Sequence, residues 1–124
     1  MKLLMSPASP FVRKVRVLLR EANLLDTVEE VEVATAPLNS DASVVAANPL
    51  GKIPTLIRTD GPALYDSRVI TRFLNDHAGA SLYPDARIWD VLTAEATADA
   101  IMEAAVAITY ESRFRAPEIQ MPEW

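Results

Sequence analysis

The chain has 124 residues, half of them hydrophobic, which is enough for one domain or for a small domain with part of another. Twelve basic residues against seventeen acidic ones give a net charge of −5, and there is no basic run, so the composition argues against nucleic acid or a membrane surface as a partner. The apolar stretch at the N-terminus is too short for a signal peptide and no later stretch is long enough to span a bilayer, so we predict a soluble, cytoplasmic protein.

The first predicted elements are a strand and a helix. Lys2 to Met5 is a short, mostly apolar run typical of a buried strand, and the proline-containing segment Ser6 to Pro10 ends it. Apolar residues then recur with the period of an amphipathic helix, while arginines line another face. This pattern predicts a helix from about Pro10 to Ala22, with apolar positions 11, 15, 18 and 22.

The middle of the chain contains shorter elements. Valines among glutamates from Val28 to Val33 predict a half-exposed strand, and Asp41 to Ala47 predicts a short helix that ends before the turn Asn48 to Gly51. Thr55 to Arg58 and Ala63 to Tyr65 flank a turn with Asp60-Gly61-Pro62 and predict a hairpin.

A third helix follows the hairpin and precedes a domain boundary. Its apolar face runs from Val69 to Leu74, and it is expected to end near Gly79. The resulting order is βαβαββα, an α/β domain. We assign residues 1–79 to this domain, 80–87 to a linker and 88–124 to the start of an all-helical domain.

The predicted second domain begins with one long helix. Helical spacing of apolar residues continues from Ile88 to about Phe114. A row of acidic residues, Glu95, Asp99 and Glu103, is interpreted as a solvated face. Met121 to Trp124 is predicted to open a further helix, so we expect the sequence to lack most of the helical domain, because a lone long helix would leave an apolar face uncovered.

Ser9 lies at the predicted turn from the first strand into the first helix, with Pro10 at the first helical position. One interpretation is purely structural, because a serine hydroxyl at an N-cap satisfies a free N–H. The alternative is functional: the same hydroxyl, near the positive end of a helix and Arg13, is suited to stabilise an anion such as a ligand thiolate. Lowering a thiol pKa by about two units from about 8.5 requires about 2.7 kcal/mol.

A second candidate segment runs from Asn48 to Leu56. A proline before a strand cannot donate to the ladder, and a cis Ile53-Pro54 bond would turn the Ile53 N–H and C=O outward to pair with an extended ligand. The alternative is an ordinary trans edge proline. Asp66-Ser67 is equally open: both residues suit a helix cap, but Ser67 is also suited to bind a carboxylate and Asp66 an ammonium group, as on an α-amino acid.

These motifs together resemble those of the glutathione S-transferase family, in its bacterial, serine-type form. Ser9-Pro10-Phe11 resembles the serine signature of the tau class and Pro7-Ala8-Ser9 that of the phi class. Lys52-Ile53-Pro54 is similar to the segment that holds the glutathione backbone, and Asp66-Ser67 to the glutamyl-binding pair, usually Glu-Ser. The resemblance covers about the first eighty residues and implies a thioredoxin-like first domain and an all-helical second domain.

The resemblance also implies an activity. It makes Ser9 the catalytic thiolate stabiliser and glutathione the co-substrate, bound by Lys52, Ile53, Pro54, Asp66 and Ser67, with no metal. A small hydrophobic electrophile would be the second substrate, and the enzyme would be a detoxifying homodimer. We assign a candidate pocket for that electrophile to Phe11, Met102 and Tyr110, although residues at helical spacing are more often core.

The chain contains no cysteine, and this decides between mechanisms. A protein thiol nucleophile is excluded, so thiol–disulfide exchange, as in glutaredoxins and cysteine-type transferases, is excluded as well. Conjugation or addition by a bound glutathione thiolate remains. The alternative is a binding or regulatory protein of similar fold without turnover.

Overall fold

The computed structural model describes residues 1–36, 38–121 and 123. Contacts within the chain divide it into a first unit, Met1–Ala86, and a second that begins at Arg87. The predicted further helix at Met121 to Trp124 includes residues outside the described ranges. The other predicted elements can be compared with the structure directly.

The first unit is built on a three-stranded sheet. Its strands are β1 (Lys2–Met5), β2 (Glu29–Glu32) and β5 (Thr55–Ile57), in the order β2-β1-β5. β1 is parallel to β2 and antiparallel to β5. As the central strand, β1 buries three of its four side chains, which explains its nearly continuous apolar sequence.

Three helices accompany the sheet in the first unit: α1 (Pro10–Glu21), α2 (Ala42–Ala47) and α3 (Ser67–His77). The main core forms where the apolar faces of α1 and α3 meet β1 and β5, and it contains Leu3, Met5, Val12, Val15, Leu18, Leu19, Leu24, Val28, Leu56, Ile70 and Leu74. The 3.6-residue periodicity seen in the sequence predicts both helices and most of their buried positions, but Val69, which it assigns to the apolar face of α3, is 46% exposed. The predicted α/β, thioredoxin-like fold is confirmed.

The predicted hairpin is shorter than expected. Its second strand is a single bridge, in which the N–H and C=O of Leu64 both bond to Leu56 at 2.9 Å. On either side of this bridge the chain is committed to other contacts. Arg58 donates to the carbonyl of Pro62 on one side, and Asp66 caps α3 on the other. The short strands β3 (Thr35–Ala36) and β4 (Asn39–Ser40) were not predicted, since two residues show no period.

The segment after α3 belongs to the first unit. Buried Asn75 accepts hydrogen bonds from Ala80 and Leu82 through its backbone and side-chain oxygens. The hydroxyl of Tyr83 donates to Thr71 at 2.9 Å. In the first half of the predicted linker, three residues are therefore held to α3 by hydrogen bonds: Ala80, Leu82 and Tyr83.

The second unit consists mainly of α4 (Ile88–Phe114), followed by a 3₁₀ turn at Pro117–Ile119. α4 exposes large apolar side chains, including Trp89, Ile101 and Ile108. The interpretation of the acidic row as a solvated face is wrong for Asp99, which is only 1% exposed. Within the described ranges, no helix is both long and apolar enough to cross a membrane.

Two valines of α1 provide a matched test of the core. Val15 is 0% exposed and Val17 is 51% exposed. Val15→Ala should lower the free energy of unfolding by about 2 kcal/mol, because it removes two buried carbon groups and leaves a cavity. Val17→Ala should change it by less than about 0.5 kcal/mol. Chemical denaturation measures both, and equal losses would contradict the assigned core face of α1.

The cap of α2 gives a pH-dependent prediction. The hydroxyl and the N–H of Ser43 donate to the Asp41 carboxylate at 2.6 and 2.8 Å, and chiefly the hydroxyl bond lowers the pKa of Asp41. A carboxyl whose pKa is lowered by folding stabilises above its unfolded pKa of about 3.9, and this contribution is lost as pH falls. Ser43→Ala should raise the pKa of Asp41, measured by NMR titration; Ser81→Ala is the control, and an unchanged pKa would contradict the prediction.

Candidate functional site

The sheet register brings the predicted site segments to one end of the first unit. Leu4 lies opposite Thr55 in the antiparallel β1–β5 pair, so the exit of β1 toward Ser9 is next to the entry of β5 at Pro54. Leu64 lies opposite Leu56, and the chain that continues from it toward Asp66 runs to the same end. Three segments that are far apart in sequence therefore converge there.

Ser9 is the N-cap of α1. Its backbone is extended and its hydroxyl oxygen accepts from the N–H of Val12 at 3.3 Å. Pro10 occupies the first helical turn, where a missing N–H costs nothing. No hydrogen bond among the described residues uses the hydroxyl proton of Ser9. The structural role foreseen for Ser9 is thus present, and its proton is left available for an anion.

The loop before β5 is organised by Asn48, which is only 1% exposed. Its side-chain nitrogen donates to the carbonyl of Lys52 at 2.9 Å and to the hydroxyl of Thr55 at 3.1 Å. Its side-chain oxygen accepts from the N–H of Leu50 at 3.0 Å. The Thr55 hydroxyl in turn donates to the same Lys52 carbonyl at 2.8 Å.

A glycine allows this loop to close. Gly51 has φ +62°, and a Cβ there would meet the Ser40 hydroxyl at 3.0 Å. That hydroxyl donates to the Gly51 carbonyl at 2.6 Å. A side chain at position 51 would therefore be both strained and crowded.

Ile53 and Pro54 follow the closed loop and precede β5. The Ile53-Pro54 peptide bond is cis, as is Tyr65-Asp66. The Ile53 side chain packs on the core, while its N–H and C=O make no hydrogen bond within the described residues. Unpaired backbone groups next to a strand can pair with an extended ligand. The side chain of Lys52 is exposed.

Asp66 and Ser67 form the start of α3. The Asp66 carboxylate accepts from the N–H of Arg68 at 3.0 Å, so it is the N-cap, as one interpretation of the sequence held. Ser67 is 3% exposed and its carbonyl accepts from the Thr71 hydroxyl. Neither the N–H nor the hydroxyl of Ser67 has a hydrogen-bond partner in the described ranges. Both donors lie at the positive end of an eleven-residue helix.

The residues predicted to bind a second substrate belong to different units. Phe11 is half-buried in α1 of the first unit. Met102 is half-buried in α4 of the second unit, where Tyr110 contacts Phe114 edge-to-face at 5.3 Å. The common pocket thus stays a prediction. Across the described part of the chain, no three His, Asp or Glu side chains are grouped to hold a metal ion.

Asn48 and Thr55 lie within the candidate segment predicted from the sequence, but neither was given a role of its own. Asn48-Pro49 marks a turn at the end of α2, which was recognised. That the asparagine is buried and directed at Lys52 depends on how α2 packs beside β5, which has no local sequence signal. The available signal was an asparagine between a predicted helix and a predicted strand.

The chain is similar in sequence and in structure to known proteins. A family model described as the N-terminal domain of glutathione S-transferase matches residues 8–77. An uncharacterized GST-like protein of Escherichia coli K12, YibF, is 36% identical over 115 residues, which are 90% of this chain and 54% of that protein.

Two solved structures are also similar. A glutathione transferase family member from Pseudomonas fluorescens Pf-5, with bound glutathione, is 44% identical with a TM-score of 0.93, over 99% of this chain and 62% of that one. A glutathione S-transferase from Methylobacillus flagellatus, with glutathione bound, is 41% identical with a TM-score of 0.86, over 98% and 59%. The chain spans 54% to 62% of the length of these relatives.

The matched domain, residues 8–77, covers more than half of the chain. The chain belongs to the glutathione S-transferase family.

Proposed function

We propose that the chain binds glutathione at the end of its sheet and stabilises the glutathione thiolate for attack on a hydrophobic electrophile. One observation carries this proposal: the N–H and C=O of Ile53 are unpaired within the described residues, between the segments that lead to Ser9 and to Ser67. The two similar solved structures hold glutathione, which supports the choice of ligand.

Each end of the ligand has a complementary group. The cysteinyl backbone pairs with Ile53 beside Pro54, as a short added strand. The α-carboxylate of the glutamyl end accepts from the N–H and hydroxyl of Ser67, and its ammonium group meets Asp66. Lys52, exposed in the loop, contributes a positive charge for the other ligand carboxylate. In this arrangement the ligand thiol is directed at Ser9.

Ser9 acts by donating a hydrogen bond from its hydroxyl group to the thiolate. The hydroxyl oxygen already accepts from Val12, so the serine can cap α1 and donate at the same time. The hydrogen bond and the helix terminus together must supply about 2.7 kcal/mol for a two-unit fall in thiol pKa, which is the size of such contributions. The bound thiol releases its proton to solvent. The thiolate sulfur then forms a bond to an electrophilic carbon, whose leaving group departs with the electrons of the bond that breaks.

The remaining parts of the proposal rest on the family resemblance. They are a homodimer, a cytoplasmic location, a detoxifying role and an electrophile pocket at Phe11, Met102 and Tyr110. The competing proposal is a glutathione-binding or regulatory protein without turnover. The two differ in what happens to the bound thiol, which the following experiments measure.

Ser67→Ala tests the glutamyl end of the site. It should weaken glutathione binding by about tenfold, because a hydrogen bond to a charged carboxylate contributes about 1.5–3 kcal/mol. Isothermal calorimetry measures the dissociation constant, and the exposed Ser81→Ala is the matched control. Equal affinities would remove Ser67 from the site, and a parent chain that binds no glutathione would overturn the proposed function.

Ser9→Ala tests the thiolate. Ultraviolet titration of bound glutathione should give a thiol pKa about two units below the free value of about 8.5 in the parent, and near that value in the variant. At pH 7 this lowers the thiolate fraction by about 25-fold. Conjugation of an aryl halide should fall similarly, while the affinity for glutathione near pH 6 should be retained. Ser9→Thr, which keeps the hydroxyl and the cap, should resemble the parent.

The titration also separates the two proposals. A parent chain that binds glutathione with its thiol pKa unchanged supports the binding or regulatory protein and contradicts the transferase. If the variant titrates like the parent, the thiolate is stabilised by a group other than Ser9.

A further inference from the structure

We infer that Asn48 is a positioning residue for the ligand edge: it fixes the peptide group between Lys52 and Ile53 so that the Ile53 N–H faces the ligand. This inference rests on the proposed function, because it gives the edge a ligand. Asn48 makes no contact with glutathione in this scheme. It acts through the backbone of the loop.

The Lys52 carbonyl is saturated with hydrogen bonds from side chains. The Lys52 C=O accepts from the Asn48 side chain at 2.9 Å and from the Thr55 hydroxyl at 2.8 Å. A carbonyl oxygen has two lone pairs, so both are used. Asn48 and Thr55 are almost fully buried, at 1% and 0% exposed, and the carbonyl they hold is therefore directed into the protein.

Peptide geometry carries this constraint to Ile53. The Lys52-Ile53 bond is not among the cis bonds, and in a planar trans peptide the C=O and the following N–H point in opposite directions. A Lys52 carbonyl held inward therefore turns the Ile53 N–H outward. The unpaired state of that N–H within the described residues follows directly from the two bonds on the other side of the same peptide.

The rest of the Asn48 side chain prevents it from rotating. Its oxygen accepts from the N–H of Leu50 while its nitrogen holds both Lys52 and Thr55. An asparagine supplies this combination of one acceptor and two donor protons. An aspartate at this position would keep the bond from Leu50 and lose both donor bonds. The side chain is therefore specific for the loop conformation and for the direction of the Ile53 peptide.

The test compares two buried asparagines in the same unit. Asn75 is also buried and also makes side-chain bonds as donor and acceptor, to Asp76 and from Leu82, but in the loop after α3. Asn48→Ala should weaken glutathione binding by about tenfold and speed amide exchange in residues 50–56. Asn75→Ala should leave the affinity within about twofold of the parent. Calorimetry and hydrogen exchange measure these effects.

A second pair of variants keeps the test decisive if Asn48→Ala does not fold. Thr55→Val removes one of the two donors to Lys52 at nearly unchanged volume, and should weaken binding by about fivefold. Thr55→Ser keeps the hydroxyl, and its affinity for glutathione should stay within about twofold of that of the parent. A role in stability alone would not discriminate between these variants at a temperature where both are folded.

The outcomes distinguish a failure of the proposed role of Asn48 from a failure of the proposed function. If the parent binds glutathione and the Asn48 and Asn75 variants bind it equally well, this inference is overturned and the proposed function stands. The same holds if Thr55→Val binds as tightly as Thr55→Ser. A parent that binds no glutathione overturns both. A tenfold loss in Asn48→Ala but not in Asn75→Ala, with faster exchange in residues 50–56, supports this inference and the glutathione-binding part of the proposed function.

Discussion

The antiparallel register between β1 and β5 is the constraint on which the rest of this structure depends. Because Leu4 lies opposite Thr55, the exit of one strand meets the entry of the other, and the segments that lead to Ser9 and from Pro54 lie at the same end of the sheet. A shift of one residue would move every side chain of β5 to the opposite face. Leu56, which is fully buried in the core, keeps the register fixed.

The site segments share a second property: each is an end of a secondary-structure element. Ser9 and Asp66 cap helices, and Ile53 precedes a strand. Ends of elements hold the backbone groups that the element itself cannot pair. The fold thus concentrates unpaired donors at one end of the sheet without any specialised side chain, which is why residues as ordinary as serine and isoleucine suffice.

Much of the fold could be predicted from the sequence, because it is encoded locally. The period of α1, the apolar run of β1 and the caps at Ser9 and Asp66 are each set by a few neighbouring residues. β3 and β4 are too short to show a period. The burial of Asn48 and Asp99 could not be predicted either, because burial depends on what packs over a residue, and polar residue types favour the opposite expectation.

The candidate site, like the fold, has features that could be predicted from the sequence and features that could not. Its residue types were predictable from motifs, since a serine at an N-cap or a proline before a strand has a recognisable position. The direction of the Ile53 peptide was not, because it is set by Asn48 and Thr55, two buried groups brought together by the packing of α2 beside β5. Sequence motifs thus specify which atoms are present, while tertiary packing specifies where they point.

The absence of cysteine gives this division a chemical consequence. A chain with its own reactive thiol carries its nucleophile at a fixed position, and a ligand only has to reach it. Here the described residues offer a hydroxyl, a weak acid that stabilises an anion without replacing it. In the proposed function the reactive sulfur belongs to the bound glutathione, so its position depends on the backbone edge at Ile53. Reaction rates are sensitive to misplacement of about 1 Å. In the proposed function, the buried Asn48 that orients one peptide group therefore influences the position of the nucleophile through the backbone.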